Sequence, residues 1–300
     1  MFKGSITALI TPFKNGEIDW SAFEKLVEWQ IEQGTNALVP CGTTGESPTL
    51  THQEHMAIVE RCVNVAGGRV PVIAGAGSNA THEAIALSRH AKEAGADAVL
   101  IVTPYYNKPT QAGIIAHFKA IHEAVNIPII IYNIPGRSVI NIEVETMIAL
   151  GKMPRIVGVK DATDDLARVQ ILREALGEDF ALLSGEDATA PGYLALGGDG
   201  CISVASNVAP RLCADLHTSW QANDRARFAE CVRLLAPLSR DLFCESSPAP
   251  VKYAAHKLGI CSDEVRLPIL PASEKARKKV DAALVFAGIG SAPAALKAHG

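Results

Sequence analysis

Between Ser5 and Val204 the chain repeats one unit: a short apolar run, a polar loop, then a segment with helical spacing. The repeat occurs eight times, and it narrows the fold more than any other feature of the sequence. The runs are rich in β-branched residues, as strands buried on both faces are. Strands are predicted at Ser5–Ile10, Ala37–Pro40, Val70–Ala74, Asp97–Val102, Ile127–Tyr132, Ile156–Lys160, Phe180–Ser184 and Gly200–Val204. The first helix is predicted from an Asp19 N-cap to Gln33, with Phe23, Leu26, Val27 and Ile31 on one face, and the second from a cap near Thr51 to Ala66. Further helices are predicted at Thr81–Ala94, up to Ala124, at 143–150, at Leu166–Leu176 and at Asp187–Leu196. Eight strand–helix units spaced roughly 20–35 residues apart predict an α/β fold, a parallel (β/α)8 TIM barrel. After the eighth strand only helical patterns remain: Arg211–Trp220, Asp224–Ser239, Pro250–Leu258 and Ser273–Phe286. The expected organisation is a barrel domain over residues 1–224 and a C-terminal helical appendage over 225–300, with Gly288–Gly300 loosely held.

Composition removes several classes of function. Charged residues make up 20% of the 300-residue chain and the formal net charge is −4, with no basic stripe for nucleic acid and no polybasic cluster for a membrane surface. No apolar run approaches the roughly 20 residues that span a bilayer, and Met1–Gly4 runs straight into a strand without a secretory apolar region. The seven cysteines, at 41, 62, 201, 213, 231, 244 and 261, form no CxxC pair, which predicts reduced thiols in a cytoplasmic protein and neither a zinc site nor a disulfide framework.

The active site of such a barrel lies at the carboxyl ends of its strands, and the polar residues collect there. Gly42-Thr43-Thr44-Gly45-Glu46-Ser47 follows the second strand, Pro104-Tyr105-Tyr106-Asn107 the fourth and Tyr132-Asn133-Ile134-Pro135-Gly136-Arg137 the fifth; the sixth ends in Lys160. Taken singly, each is an ordinary loop residue, and a strand-end lysine is as readily a snorkelling cation as a reagent. Together they place hydroxyls, a guanidinium and an amine around one predicted mouth. A desolvated amine is the neutral nucleophile that forms a Schiff base with a ketone. Carbinolamine formation, dehydration and carbon–carbon bond formation all move protons, work suited to the Tyr132 phenol aided by Thr43. The Gly42–Gly45 turn, with the Thr44 hydroxyl, suits the carboxylate of an α-keto acid, and Arg137 suits a second carboxylate.

Two motifs point elsewhere. Gly75-Ala76-Gly77-Ser78-Asn79-Ala80 fits GxGxxA, but the acidic residue that a dinucleotide fold needs at the end of the next strand falls at its start, Asp97. A tight loop is the expectation there. His52 and His55 lie three apart on a helix without a third ligand, so no metal site is expected.

With these residues in place, the chain resembles the dihydrodipicolinate synthase family of the pyruvate-dependent class I aldolases. The resemblance covers about residues 1–270 and rests on the turn at 42–47, the segments 104–107 and 132–137, Gly158-Val159-Lys160-Asp161-Ala162 and Gly198-Asp199-Gly200-Cys201-Ile202-Ser203-Val204. It implies a lyase that condenses pyruvate, held as an imine on Lys160, with L-aspartate-4-semialdehyde to 4-hydroxy-tetrahydrodipicolinate, without metal or redox cofactor. It further implies a proton relay of Tyr132, Thr43 and Tyr106, with Tyr106 reaching in from a neighbouring subunit of a homotetramer built as a dimer of dimers. By the same resemblance Thr44 binds the pyruvate carboxylate, Arg137 the semialdehyde carboxylate, and Gly185 and Ile202 line the pocket. Inhibition by L-lysine is implied at Ser47, His52, His55, Asn79, Glu83 and Tyr105. The sequence departs from the family pattern at Ser138-Val139, where Thr-Gly is commoner, and at Pro48, where Ala is frequent. Three rivals stand beside this reading: an aldolase acting on N-acetylneuraminate or a 2-keto-3-deoxy sugar acid, a nicotinamide-dependent oxidoreductase using Gly75–Ala80, and a catalytically silent binding barrel.

Overall fold

The computed structural model describes residues 2–290. Counting barrel strands alone, β1 is Gly4–Ala8, β2 Ala37–Val39, β3 Ile73–Gly75, β4 Ala98–Val102, β5 Ile129–Asn133, β6 Ile156–Asp161, β7 Ala181–Ser184 and β8 Gly200–Ser203. All pair in parallel, β1 joining β8 to β2, and a bridge between Leu38 and Val72 brings β2 to the foot of β3 and rounds off the barrel. The predicted strand at Val70–Ala74 is therefore displaced toward its carboxyl end. Phe13–Lys14 and Glu17–Ile18 form a small antiparallel hairpin in what reads as a loop. Its turn is Asn15-Gly16, both residues at positive φ, which is the two-residue hairpin turn that Asn-Gly favours.

The helices follow the predicted order: α1 Trp20–Glu32, α2 His52–Ala66, α3 Thr81–Glu93, α4 Gln111–Ala124, α5 Val144–Gly151, α6 Ala167–Leu176, α7 Ala190–Ala195, α8 Pro210–Gln221, α9 Arg225–Asp241, α10 Ala249–Lys257 and α11 Glu274–Phe286. Asp19 caps α1 by accepting from the Ala22 amide, and Thr51 with Glu54 forms a reciprocal capping box on α2.

The strands alternate between two apolar layers. In β5, Ile129 and Ile131 point to the surrounding helices while Ile130 and Tyr132 point into the barrel. The barrel interior is filled by Ile6, Val39, Ile73, Leu100, Ile130, Leu183 and Ile202, so it is a packed core closed below the mouth. The helices of the C-terminal region join the outer layer through Leu235, Leu238, Val251, Val280 and Leu284. Of the tail expected to be loose, Ile289 is tied to the Leu284 carbonyl, and residues 291–300 lie outside the described residues.

Candidate active site

Lys160 is the last barrel-facing residue of β6 and is only 5% exposed. Its Cα partner across the ladder is Tyr132 of β5, and its Nζ lies 4.2 Å from the Tyr132 ring centroid. The strand end is locked from the outside. Asp161 points away from the barrel, where its carboxylate accepts from Arg168 Nε at 3.0 Å and from the Thr163 amide and hydroxyl. Arg168 also donates to the Ile142 carbonyl, so this buried pair has its hydrogen bonds satisfied. Asn133, next to Tyr132, donates to Asn141 and accepts from the Ile142 amide, which fixes the end of β5 in turn.

A cavity of about 310 Å3 opens over these two residues, bounded by Thr43, Thr44, Tyr132, Arg137, Lys160 and Gly185 among others. Thr43–Gly45 is one 3-10 turn. Its first amides, of Thr43 and Thr44, have no hydrogen-bond partner among the described residues, as at the start of any helical turn, so they remain available to an anion. The Gly45 carbonyl accepts from Thr11 Oγ1 at 2.7 Å, and a Cβ on Gly45 would stand 3.1 Å from the Leu9 carbonyl oxygen. Arg137 is exposed at the rim, on the single helical turn Pro135–Ser138. Gly185 is required by crowding, since a Cβ would come within 2.7 Å of Ala162 Cβ.

Two predicted residues fall outside this cavity. Ile202 points into the packed interior below it, and Val204, two residues further along, is the residue that borders it. Tyr106 is 87% exposed, so a single chain does not bring it to Lys160. Among the lining residues that carried no role in the sequence reading are Thr163, Asp164, Glu186, Phe243 and Ser247. Glu186 directly follows Gly185 after β7, so the strand-end rule could have found it. Burial pushes its carboxyl up to about 7, with Lys160 pulling it back down. Phe243 and Ser247 come from the segment between α9 and α10, where no strand pattern marks the mouth.

A second cavity, of about 370 Å3, shares Thr43, Tyr132 and Arg137 with the first and extends to Ser47, His52, His55, Glu83 and Tyr105. His52 Nε2 sits 2.7 Å from Glu83 Oε1, and Ser78 donates to the other oxygen of that carboxylate. Hydrogen bonds from Ser78 and His52 hold the Glu83 carboxyl below its usual range. Asn79 stands outside the lining and donates to the Tyr105 carbonyl. His55 is buried, and desolvation pushes its pKa down to about 4, so the ring is neutral at pH 7.

The motifs that pointed elsewhere have structural explanations. A Cβ on Gly75 would stand 2.2 Å from the Cys41 carbonyl oxygen, and one on Gly77 would stand 2.5 Å from the Val102 amide nitrogen. These glycines let neighbouring backbones touch. Asp97 accepts from the Val72 amide at the opposite end of the barrel from the mouth. Among the described residues no group of three or more His, Cys, Asp or Glu is placed to hold a metal ion, and all seven cysteines are free.

Comparison with known proteins places these features in a family. The pattern of the dihydrodipicolinate synthetase family matches residues 1–287. A 4-hydroxy-tetrahydrodipicolinate synthase of Bradyrhizobium diazoefficiens is 60% identical over 288 residues, covering 96% of this chain and 97% of that protein. Among solved structures, the chloride-inhibited dihydrodipicolinate synthase of Acinetobacter baumannii complexed with pyruvate superposes with a TM-score of 0.94 at 47% identity, covering 96% of this chain and all of that one (100%). The enzyme of Cyanidioschyzon merolae with lysine bound gives 0.93 at 39% identity, over 96% of this chain and 99% of that one.

Proposed function

This chain belongs to the dihydrodipicolinate synthetase family, and from that membership we propose that its reaction runs through an imine on Lys160. The activity is that of a lyase, a 4-hydroxy-tetrahydrodipicolinate synthase, and the sugar-acid aldolase, nicotinamide and silent-barrel alternatives fall away. The observation that carries the proposal is the buried Lys160 amine against the Tyr132 ring, under a cavity that also holds Thr43 and Thr44.

The Lys160 amine adds to the pyruvate ketone, and the carbinolamine loses water to give the imine. Loss of a methyl proton makes the enamine, whose carbon attacks the aldehyde of L-aspartate-4-semialdehyde. The amino group of the semialdehyde then displaces Lys160 from the imine carbon, which closes the ring and frees the enzyme. Tyr132 and Thr43 carry the protons, with Tyr106 supplied by a second subunit of a homotetramer. Thr44 and the free amides of its turn hold the pyruvate carboxylate; Arg137 holds that of the semialdehyde. Each new bond to carbon is made by an amine or an enamine, and the carbinolamine oxygen leaves as water, so the proposed sequence calls on neither metal nor redox cofactor. Gly185 shapes the wall, and Ile202 supports it from below.

L-Lysine is proposed as an effector at the second cavity, where Glu83 offers a carboxylate to an ammonium group and Tyr105 lines the wall, its carbonyl held by Asn79 from outside the lining. The shared lining residues Thr43, Tyr132 and Arg137 give that cavity direct access to the catalytic groups. Activity unchanged at saturating lysine would sink this assignment. The proposed compartment is the cytoplasm, consistent with free thiols and with no described helix long and apolar enough to cross a membrane. The central test is borohydride reduction with pyruvate followed by peptide mass analysis. An adduct on Lys160 is expected, and a reduced enzyme without one overturns the mechanism.

A further inference from the structure

Glu46 directly follows the turn that carries Thr43 and Thr44, at φ 57, a left-handed conformation that a residue with a side chain adopts at a cost. Its carboxylate is buried and both oxygens are engaged. Oε1 accepts from Lys252 Nζ at 2.7 Å, and Oε2 accepts from the Arg266 backbone amide at 2.9 Å. Lys252 is 0% exposed, and its Nζ lies 4.1 Å from the centroid of the Phe13 ring. Burial pulls the Lys252 amine below its ordinary range and Glu46 pushes it back up. Both partners come from the C-terminal helical region, Lys252 from α10, 206 residues from Glu46.

We propose that the Lys252–Glu46 ion pair fixes the carboxylate cradle at Thr43–Gly45, making Lys252 a positioning residue for the keto-acid substrate. The inference rests on the proposed function's reading of that turn as the pyruvate carboxylate site. A turn of three residues has little rigidity of its own. It is held on one side by Thr11 on the Gly45 carbonyl, and on the other only if Glu46 stays in its strained conformation. A buried, doubly bonded carboxylate can hold that conformation, whereas a solvated one would be free to leave it. Arg266 strengthens the attachment by donating to Glu54, to the Thr49 carbonyl and to the Gly16 carbonyl. Lys252 touches no substrate on this account. It acts through the turn, and a geometric error of about 1 Å in such a site costs up to roughly 100-fold.

The test compares pyruvate with acetone, a ketone that has no carboxylate. The double variant Glu46→Gln/Lys252→Met removes both charges while keeping shape, so no unpaired charge is buried. Borohydride trapping on Lys160 is measured against ketone concentration in wild type and variant. The half-saturating pyruvate concentration is expected to rise about tenfold or more, with acetone moving less than about twofold. Equal shifts for both ketones, or none for either, overturn the positioning role. Should the double variant fail to fold, Phe13→Leu decides: it removes the ring beneath Lys252 while leaving the ion pair, and the same pyruvate-selective rise is expected at smaller size. A wild type not labelled at Lys160 overturns the reading of the mouth and this inference with it. A labelled wild type whose variants keep normal pyruvate selectivity overturns the clamp alone.

Discussion

Tyr132 and Lys160 are Cα partners on neighbouring parallel strands, with the amine 4.2 Å from the ring centroid. Opposed residues in a ladder share a face and a height, so this pairing sets the ring against the amine without help from a loop. Phenol and amine therefore have separable roles. Tyr132→Phe keeps the ring and removes only the hydroxyl. The expected result is a fall in kcat of about 100-fold or more, with the folding transition unchanged and Lys160 still trapped by borohydride, only more slowly. A variant within tenfold of wild type would remove Tyr132 from the proton relay.

Lys160, Tyr132, Thr43, Thr44 and Arg137 could be located from sequence because a barrel turns chain order into position: a polar residue just after a buried run is at the mouth. Glu186 obeys the same rule, but an acidic residue just ahead of a helix is equally favoured there by the helix dipole, so its type alone does not mark it. The partnership of Glu46 with Lys252 had no such signal. It joins positions 206 residues apart, and a lysine in an amphipathic helix reads as a solvated one until its surroundings are known. Ile202 enters only through the resemblance, and the structure sets it in the packed interior while Val204 borders the cavity. Strand periodicity gives the face a residue points to, but its depth along the barrel depends on the register of neighbouring strands. That register aligns Ile202 with Ile6 in the packed interior.

Val139 sits at φ 71 and is 63% exposed. It is one of the two positions after Arg137 where the sequence departs from the family pattern. A β-branched side chain at positive φ is strained, whereas glycine is not. The exposed side chain gives little burial in return. Val139→Gly is therefore expected to raise stability by about 1 kcal/mol, the strain relieved less the extra freedom glycine gives the unfolded chain. Urea denaturation measures it, and a variant less stable than wild type refutes the strain argument.

Three buried histidines make the fold acid-sensitive. Desolvation pushes His55, His117 and His217 down to about 4 from an ordinary value of 6.5. The unfolded chain takes up protons at these rings below about pH 6.5, while the folded chain holds them neutral until about 4. Their contribution is complete above pH 6.5 and is lost as pH falls toward 4. Glu186 runs the other way: its raised carboxyl gives stability that is present below about 4.5 and lost as pH rises through 7. That term is the smaller one because the group is partly solvated. Net stability should fall between pH 7 and pH 5. His217, whose Nδ1 has no partner, should account for about 1–3 kcal/mol of the fall. Denaturation of His217→Leu at the two pH values checks this, and an undiminished fall in the variant excludes His217 as a source.

Tyr106 gives the sharpest test of assembly. At 87% exposure and φ 71 it projects from its loop, beside the half-covered Tyr105, and borders neither cavity of its own chain. If it completes the relay of a second subunit, a site with Lys160 from one chain and Tyr106 from another is competent. Tyr106→Phe and Lys160→Ala should each be strongly impaired alone. Unfolded together in equal amounts and refolded, they should regain about a quarter of wild-type activity, because in a two-fold pair half of the dimers are hybrids and each hybrid restores one of two sites. Tyr106 acting only within its own chain predicts no gain. Such a site leaves Lys160, Tyr132 and Thr43 in place in an isolated subunit, so dilution below the subunit dissociation constant should abolish turnover before it abolishes borohydride trapping of pyruvate.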